Sequence, residues 1–199
     1  MRRLVYAVGA SVDGFIAGPA GELDFYPVTD DVVALLATEL ADTLPAHGRA
    51  QFGVAGAPQR FDTVVMGRAT YEPALAVGIT SPYAPLRQLV VSRTLEDAPE
   101  AEVEIVRDDP VAAVRALKAE PGRDVLLVGG GRLAGALLGE VDELIVKLYP
   151  VVAGAGVPVF DAPFTPTALT LTASRVLERG TVVLTYAVAR NAPNGTVVG

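Results

Sequence analysis

The chain contains no cysteine. Disulfides, thiolate metal sites and cysteine nucleophiles are excluded outright. It has one histidine, His47, and a single imidazole cannot build a His-rich metal centre. Placed among scattered Gly and Pro, His47 reads as exposed. No apolar run reaches the ~18 residues of a membrane span. The strand-like run from Leu4 to Val8 follows only two arginines and lacks the apolar region and cleavage pattern of a secretory leader. A cytoplasmic protein is the expectation. Basic residues are in deficit: 16 Lys and Arg against 23 Asp and Glu leave a net charge of −7. Such a chain binds nucleic acid and anionic membranes poorly, and neither is expected as a partner.

What is present is a chain of 199 residues, 51% of them hydrophobic, which suits one domain with a substantial core. Residues 1–190 read as that domain and the polar stretch 191–199 as a flexible tail. Val/Leu-rich runs at 4–8, 62–66, 88–92 and 124–128 have the length and branching of buried strands. A short strand is expected at 103–106. Asp30 or Asp31 would cap a helix carrying Val32, Leu35, Leu36 and Leu40. Asp109-Pro110 opens a second helix, with Pro at the first helical position, where its missing N–H costs nothing. Leu133, Leu137 and Leu138 mark a third. Residues 44–60 and 73–85, punctuated by Gly and Pro, read as loops, the former with at most one helical turn. Beyond residue 142 the pattern is all strand, at 143–149, 158–160, 168–177 and 181–189. The last two are joined at Glu178-Arg179-Gly180 as a β-hairpin. The order predicts an α/β fold, a mixed sheet flanked by helices.

Three strands end in residues suited to a phosphate-rich ligand. Met66-Gly67-Arg68-Ala69-Thr70-Tyr71-Glu72 ends the strand at 62–66, Ser92-Arg93 ends the next, and Val128-Gly129-Gly130-Gly131-Arg132-Leu133 ends the strand at 124–128. Glycine lets backbone N–H groups approach a pyrophosphate, and guanidinium pairs bidentately with phosphate oxygens. Gly129-x-Gly131-x-x-Ala134 also has the form of the dinucleotide fingerprint. It lies two-thirds along the chain, however, and residues 149–152 (Tyr-Pro-Val-Val) lack the acid that would hold a ribose. A Rossmann domain is therefore rejected. By residue chemistry alone the triple glycine is a ligand cradle or a tight turn, and each arginine a ligand or a solvated residue. Three arginines, each directly after a buried strand of an acidic chain, point to a nucleotide cofactor.

In order and spacing these segments resemble the NADPH-contacting segments of the dihydrofolate reductase-like superfamily, over residues 4–189. Within it, Ala10-Ser11-Val12-Asp13-Gly14-Phe15-Ile16-Ala17 and residues 150–160, from Pro150-Val151 to Val159-Phe160, are similar to the RibD C-terminal family. That family comprises the reductase domain of riboflavin biosynthesis and its stand-alone relatives. The resemblance implies a dihydrofolate reductase-like three-layer fold: a mixed, mostly parallel central sheet, flanking helices and a C-terminal hairpin. It implies an NADPH-dependent oxidoreductase acting on a small heterocycle, pyrimidine- or pterin-like, or on a carbonyl compound. Gly67, Arg68 and Thr70 would hold the pyrophosphate and the adenosine-side phosphate, and Ser92 and Arg93 the 2′-phosphate. Gly129, Gly130, Gly131, Arg132 and Leu133 would wrap the pyrophosphate, with a cis Gly129–Gly130 peptide. Gly9, Ile16 and Ala17 would border the nicotinamide.

Reduction of C=N or C=O leaves an anion that must be protonated. The family's helix-borne carboxylate falls at Asp30, a few residues past Phe25 or Tyr26, with Phe25 against the substrate; Asp13 is a second acid that this branch shares. Where folate-reducing relatives carry threonine this chain has Lys147, which would pair with Asp30, bind an anionic substrate or point to solvent. That departure tells against folate reduction. The zinc deaminase half of riboflavin synthesis, with its Pro-Cys-x-x-Cys signature, cannot exist in a cysteine-free chain. A non-catalytic nucleotide-binding module is the alternative reading. Relatives in this branch often form dimers, so a homodimer through the apolar C-terminal strands is expected.

Overall fold

The computed structural model describes residues 1–95 and 103–189; the stretch expected to be a tail, 191–199, lies outside them. In chain order the elements are β1 (Leu4–Ala10), β2 (Phe15–Ala17), α1 (Asp30–Ala37), α2 (Ala46–Gln51), β3 (Phe61–Gly67), α3 (Arg68–Ala76), β4 (Arg87–Val91) and β5 (Val103–Val106). They continue with α4 (Pro110–Ala119), β6 (Asp124–Leu127), α5 (Gly131–Ala136), β7 (Glu143–Leu148), β8 (Val157–Pro158), β9 (Leu169–Val176) and β10 (Val182–Val188).

Eight strands form one sheet in the order β5-β4-β3-β6-β1-β7-β10-β9. Every pairing from β5 to β7 is parallel. Strand β10 is antiparallel to both its neighbours, β7 and β9, which makes the expected hairpin. Side chains of successive strand residues point to opposite faces, and central β1 feeds both layers. Val5 and Ala7 pack with Val32, Leu35 and Leu36 of α1 and Tyr71 of α3. Leu4, Tyr6 and Val8 pack with Val114 and Leu117 of α4 and Leu133 and Ala134 of α5. Leu4, Val5 and Tyr6 are 0% exposed. Burial of one such aliphatic side chain is worth about 1.5–3 kcal/mol, so these two layers are the main source of stability.

Charged residues close the N-terminal end of the parallel strands. Arg3 reaches Asp124 (2.7 Å) and Glu143 (3.0 Å), and Arg60 reaches Glu143 (2.9 Å). Buried Arg2 pairs with Asp62 and donates to Thr63 Oγ1 at 2.7 Å.

Several local expectations are corrected. The cap of α1 is Thr29, in extended conformation, with Asp30 and Asp31 in the first turn. Asp31 is not free to cap: its carboxylate accepts from the Thr29 hydroxyl, the Val32 N–H and the Arg179 N–H. The stretch 44–60 holds a six-residue helix, α2, which the buried Arg49 fastens by donating to Ala41 O (2.8 Å) and Gly56 O (2.7 Å). Helix α3 runs through Pro73 to Ala76, because buried Tyr71 and Ala74 hold that turn against the sheet. The 15–17 segment is a strand paired with β8. His47 is exposed, as expected. Among the described residues no helix is long and apolar enough to cross a membrane.

Candidate active site

Parallel strands deliver their C-terminal ends to one edge of a sheet, where α/β proteins place ligands. Here the residues that end β1, β3, β4, β6 and β7 gather at that edge. Gly67 N–H, at the end of β3, donates to Gly129 O at 3.3 Å. A methyl group on Gly129 would lie 3.8 Å from Thr70 Oγ1 and 3.9 Å from Ile16 Cδ1. Gly67, Thr70, Gly129 and Ile16 are thus brought together from three separate parts of the chain. Gly67 is the N-cap of α3 and no side chain caps that helix. The first N–H groups of α3 keep their partial positive charge and their capacity to bind an anion.

The three adjacent glycines do different jobs. Gly129 has φ +83°, a conformation that favours glycine, and the Gly129–Gly130 peptide is cis. A methyl on Gly130 would meet nothing within 4 Å, so open space lies over that peptide. A methyl on Gly131 would fall 2.2 Å from Pro158 O; this glycine lets α5 touch β8 and has no room there for a ligand.

The arginines separate in the same way. Arg68 donates to Thr94 Oγ1 at 2.7 Å, which joins the start of α3 to the turn after β4. Ser92 is buried, and its Oγ accepts from Leu95 N (2.9 Å) and Thr94 N (3.3 Å), which shapes the turn that carries exposed Arg93. Arg132 is 94% exposed at its side chain, 3.7 Å from the Asp161 carboxylate, and no contact ties it to Arg68 or Arg93 among the described residues. Leu133 points into the core, which leaves only its backbone for a ligand.

Beside this edge lies a second group, centred on Gly9 of β1. Tyr26 donates its hydroxyl to Gly9 O (3.2 Å) and Phe15 O (2.9 Å). Its ring centroid lies 4.3 Å from that of Phe25 and 4.6 Å from that of Tyr149, at interplanar tilts of 38° and 39°. Burial, then the neighbouring Tyr149, pushes the Tyr26 hydroxyl up to about 12, so it is neutral and committed as a donor. Lys147 pairs in register with Gly9, and its Cε would lie 3.9 Å from a methyl group there, with Tyr149 Cε2 at 3.0 Å. Ala17 is pinned from the other side: its carbonyl oxygen would sit 2.0 Å from a methyl on Gly156.

The model of the RibD C-terminal domain matches residues 2–183. The chain belongs to the RibD C-terminal domain family. The uncharacterized Bacillus subtilis (strain 168) protein YyaP is 28% identical over 189 residues, 93% of this chain and 94% of its own length. A putative riboflavin biosynthesis protein from Shewanella sp. PV-4 is 25% identical with a TM-score of 0.68, covering 94% of this chain and 99% of that one. Dihydrofolate reductase from Enterococcus faecalis, solved with NADP(H), shares the fold: TM-score 0.63 at 15% identity, covering 94% and 96%. The chain is a RibD C-terminal reductase-like domain on a dihydrofolate reductase-like α/β fold.

Within this RibD-like domain the acids do not converge as the sequence suggests. Asp30 is exposed at the start of α1, and its carboxylate makes no hydrogen bond or ion pair among the described residues. No ion pair joins it to Lys147. Asp13 accepts from Ala153 N (2.9 Å) and Gly154 N (2.7 Å), which ties the first loop to the loop after β7. The Ser11 hydroxyl, followed by these two amides, holds its carboxyl down at about 2. An acid ionised to that depth does not donate protons at neutral pH; Asp13 is a fastener. Because its folded value lies below the ordinary 3.8, the stabilisation is complete above pH 4 and fades as pH falls towards 2. Hydrogen exchange should show Ala153 and Gly154 protected at pH 5 and open at pH 2, and open at both in Asp13→Ala.

Thr94 carries no sequence signal, whereas Tyr71 and Tyr149 read from sequence as either core residues or pocket walls. Thr94, the partner of Arg68, sits in a short polar turn with no motif. Tyr149 left a signal, an aromatic directly after an apolar strand, that fits a core residue equally well. Tyr71 resolves to the core, with its hydroxyl donating to Thr80 O at 2.6 Å.

Proposed function

We propose that this protein is an NADPH-dependent reductase of a small heterocyclic or carbonyl substrate. The observation that carries the reading is the junction of Gly67, Thr70 and Gly129 at the uncapped start of α3, with Arg68 bonded to the 92–94 turn. The donor set suits a dinucleotide phosphate. Open space over Gly130 leaves room for a pyrophosphate, the free amides of α3 suit its charge, and Arg68, Arg93 and Thr94 supply charge and hydroxyl for a 2′-phosphate. NADPH, when bound, would supply the hydride. The chain's own part is to orient and to exclude water: Ile16 and Gly9 would wall the nicotinamide end, and the Phe25–Tyr26–Tyr149 ring cluster would line the substrate side.

Calorimetry tests the reading. NADPH should bind at least about tenfold tighter than NADH, and Arg93→Ala should erase the difference, since one charge-assisted contact is worth about 1.5–3 kcal/mol. Gly67→Ala should weaken NADPH binding and leave the melting temperature nearly unchanged, because the added methyl makes only ordinary contacts near Gly130 N at 3.9 Å. Binding of neither nucleotide would discard the proposal. The exposed position of Asp30 favours a second reading, a nucleotide-binding module without chemistry. Tight NADPH binding with no oxidation against a broad panel of heterocycles and carbonyls would select it.

A further inference from the structure

Lys147 is largely covered at the C-terminal end of β7, on the same face as Ile145 and Tyr149. Its register partners are Gly9 and Val183, one without a side chain and the other apolar. Its ammonium makes no hydrogen bond and no ion pair among the described residues; the carboxylates of α1 offer none, Asp31 being taken up by Thr29, Val32 and Arg179 and Asp30 facing solvent. Every fully enclosed side-chain nitrogen or oxygen among the described residues has a partner, so this unpaired nitrogen must reach open space. Burial lowers its proton affinity to about 8, which still leaves it charged at neutral pH.

An unpaired, poorly solvated cation is costly, and a bound anion removes that cost. The walls beside it are aromatic: Tyr149 lies 3.0 Å from the methyl position of Gly9, and the tilted rings of Tyr26 and Phe25 adjoin it in turn. We infer that the substrate of this site is a planar ring carrying an oxyanion, with Lys147 as counter-ion and the ring set against the face of a tyrosine. The inference deepens the reductase reading, because it places the anion beside Gly9, where the nicotinamide would end. Lys147 then sets specificity: an uncharged ring of the same size leaves the ammonium unpaired and binds less well.

Three probes test this by calorimetry at pH 7, each with and without NADP⁺. Barbiturate is a six-membered ring and an anion at this pH, uracil is a similar ring without charge, and acetate is an anion without a ring. Barbiturate should bind at least about tenfold tighter than either of the others. Lys147→Met should bring it down to the level of uracil and leave uracil unchanged, and Lys147→Arg should restore most of the preference. The inference is overturned if wild-type protein binds no barbiturate, binds it no tighter than uracil, or loses nothing in Lys147→Met. NADP⁺ binding without barbiturate binding removes the anion site and leaves the reductase reading. Barbiturate binding without NADP⁺ binding keeps the anion site and removes the reductase reading.

Discussion

Replacing Lys147 with methionine is expected to raise the melting temperature at pH 7 by about 3–10 °C. The side chains are similar in length, so the packing beside Gly9 survives while the buried charge disappears. The shift of the ammonium from 10.5 to about 8 measures the burden of that charge. For a side chain that keeps some contact with water, that burden is about 1–3 kcal/mol. The sign is decisive. Below pH 8 folded and unfolded chains are both protonated at this position, and the folded state bears the whole penalty. Between pH 8 and 10.5 the unfolded chain holds the proton more tightly, so wild-type stability gains relative to the variant as pH rises. Thermal unfolding of the two proteins across pH 6–10 should therefore converge at the alkaline end. Equal melting temperatures at pH 7 would show that the lysine is well solvated and would weaken the case for an anion site.

The second large effect separates two neighbouring glycines. Gly131→Ala should destabilise the protein by about 3 kcal/mol or more, because the methyl would need the space of Pro158 O and β8 would have to move. Gly130→Ala should cost less than about 1 kcal/mol, since its methyl enters open space and alanine is only a poorer helix cap than glycine. The nucleotide readout should invert that order of severity: Gly130→Ala should fold normally and bind NADPH weakly. Urea denaturation and calorimetry on the two variants check both halves. Normal NADPH affinity in Gly130→Ala would place the pyrophosphate elsewhere.

This contrast shows where the sequence could be read and where it could not. Strands β1, β3, β4, β6 and β7 were legible because strands buried on both faces must be continuously apolar, and that needs no knowledge of partners. The residues ending them were legible for the same reason: a strand end is a local event. Gly129, Gly130 and Gly131 look alike in sequence because their difference lies in Thr70, Ile16 and Pro158, which come from other parts of the chain. Asp13 reads as an acid until Ala153 and Gly154, 140 and 141 residues away, claim both its oxygens. Of the β2–β8 pair the sequence showed only a short strand, expected at 158–160 where β8 is Val157–Pro158; β2, with three residues, has no period to detect. Lys147 could be flagged as unusual, but that its ammonium makes no ion pair among the described residues is a fact of three-dimensional packing.

The ion pairs of Arg2, Arg3 and Arg60 with Asp62, Asp124 and Glu143 lie at the end of the sheet remote from the rim where Gly67 meets Gly129. Clamping one rim frees the other to diversify. Loops at that opposite rim can exchange residues or lengthen without loosening the strands they grow from. A scaffold built this way can acquire a new substrate through changes confined to a single rim.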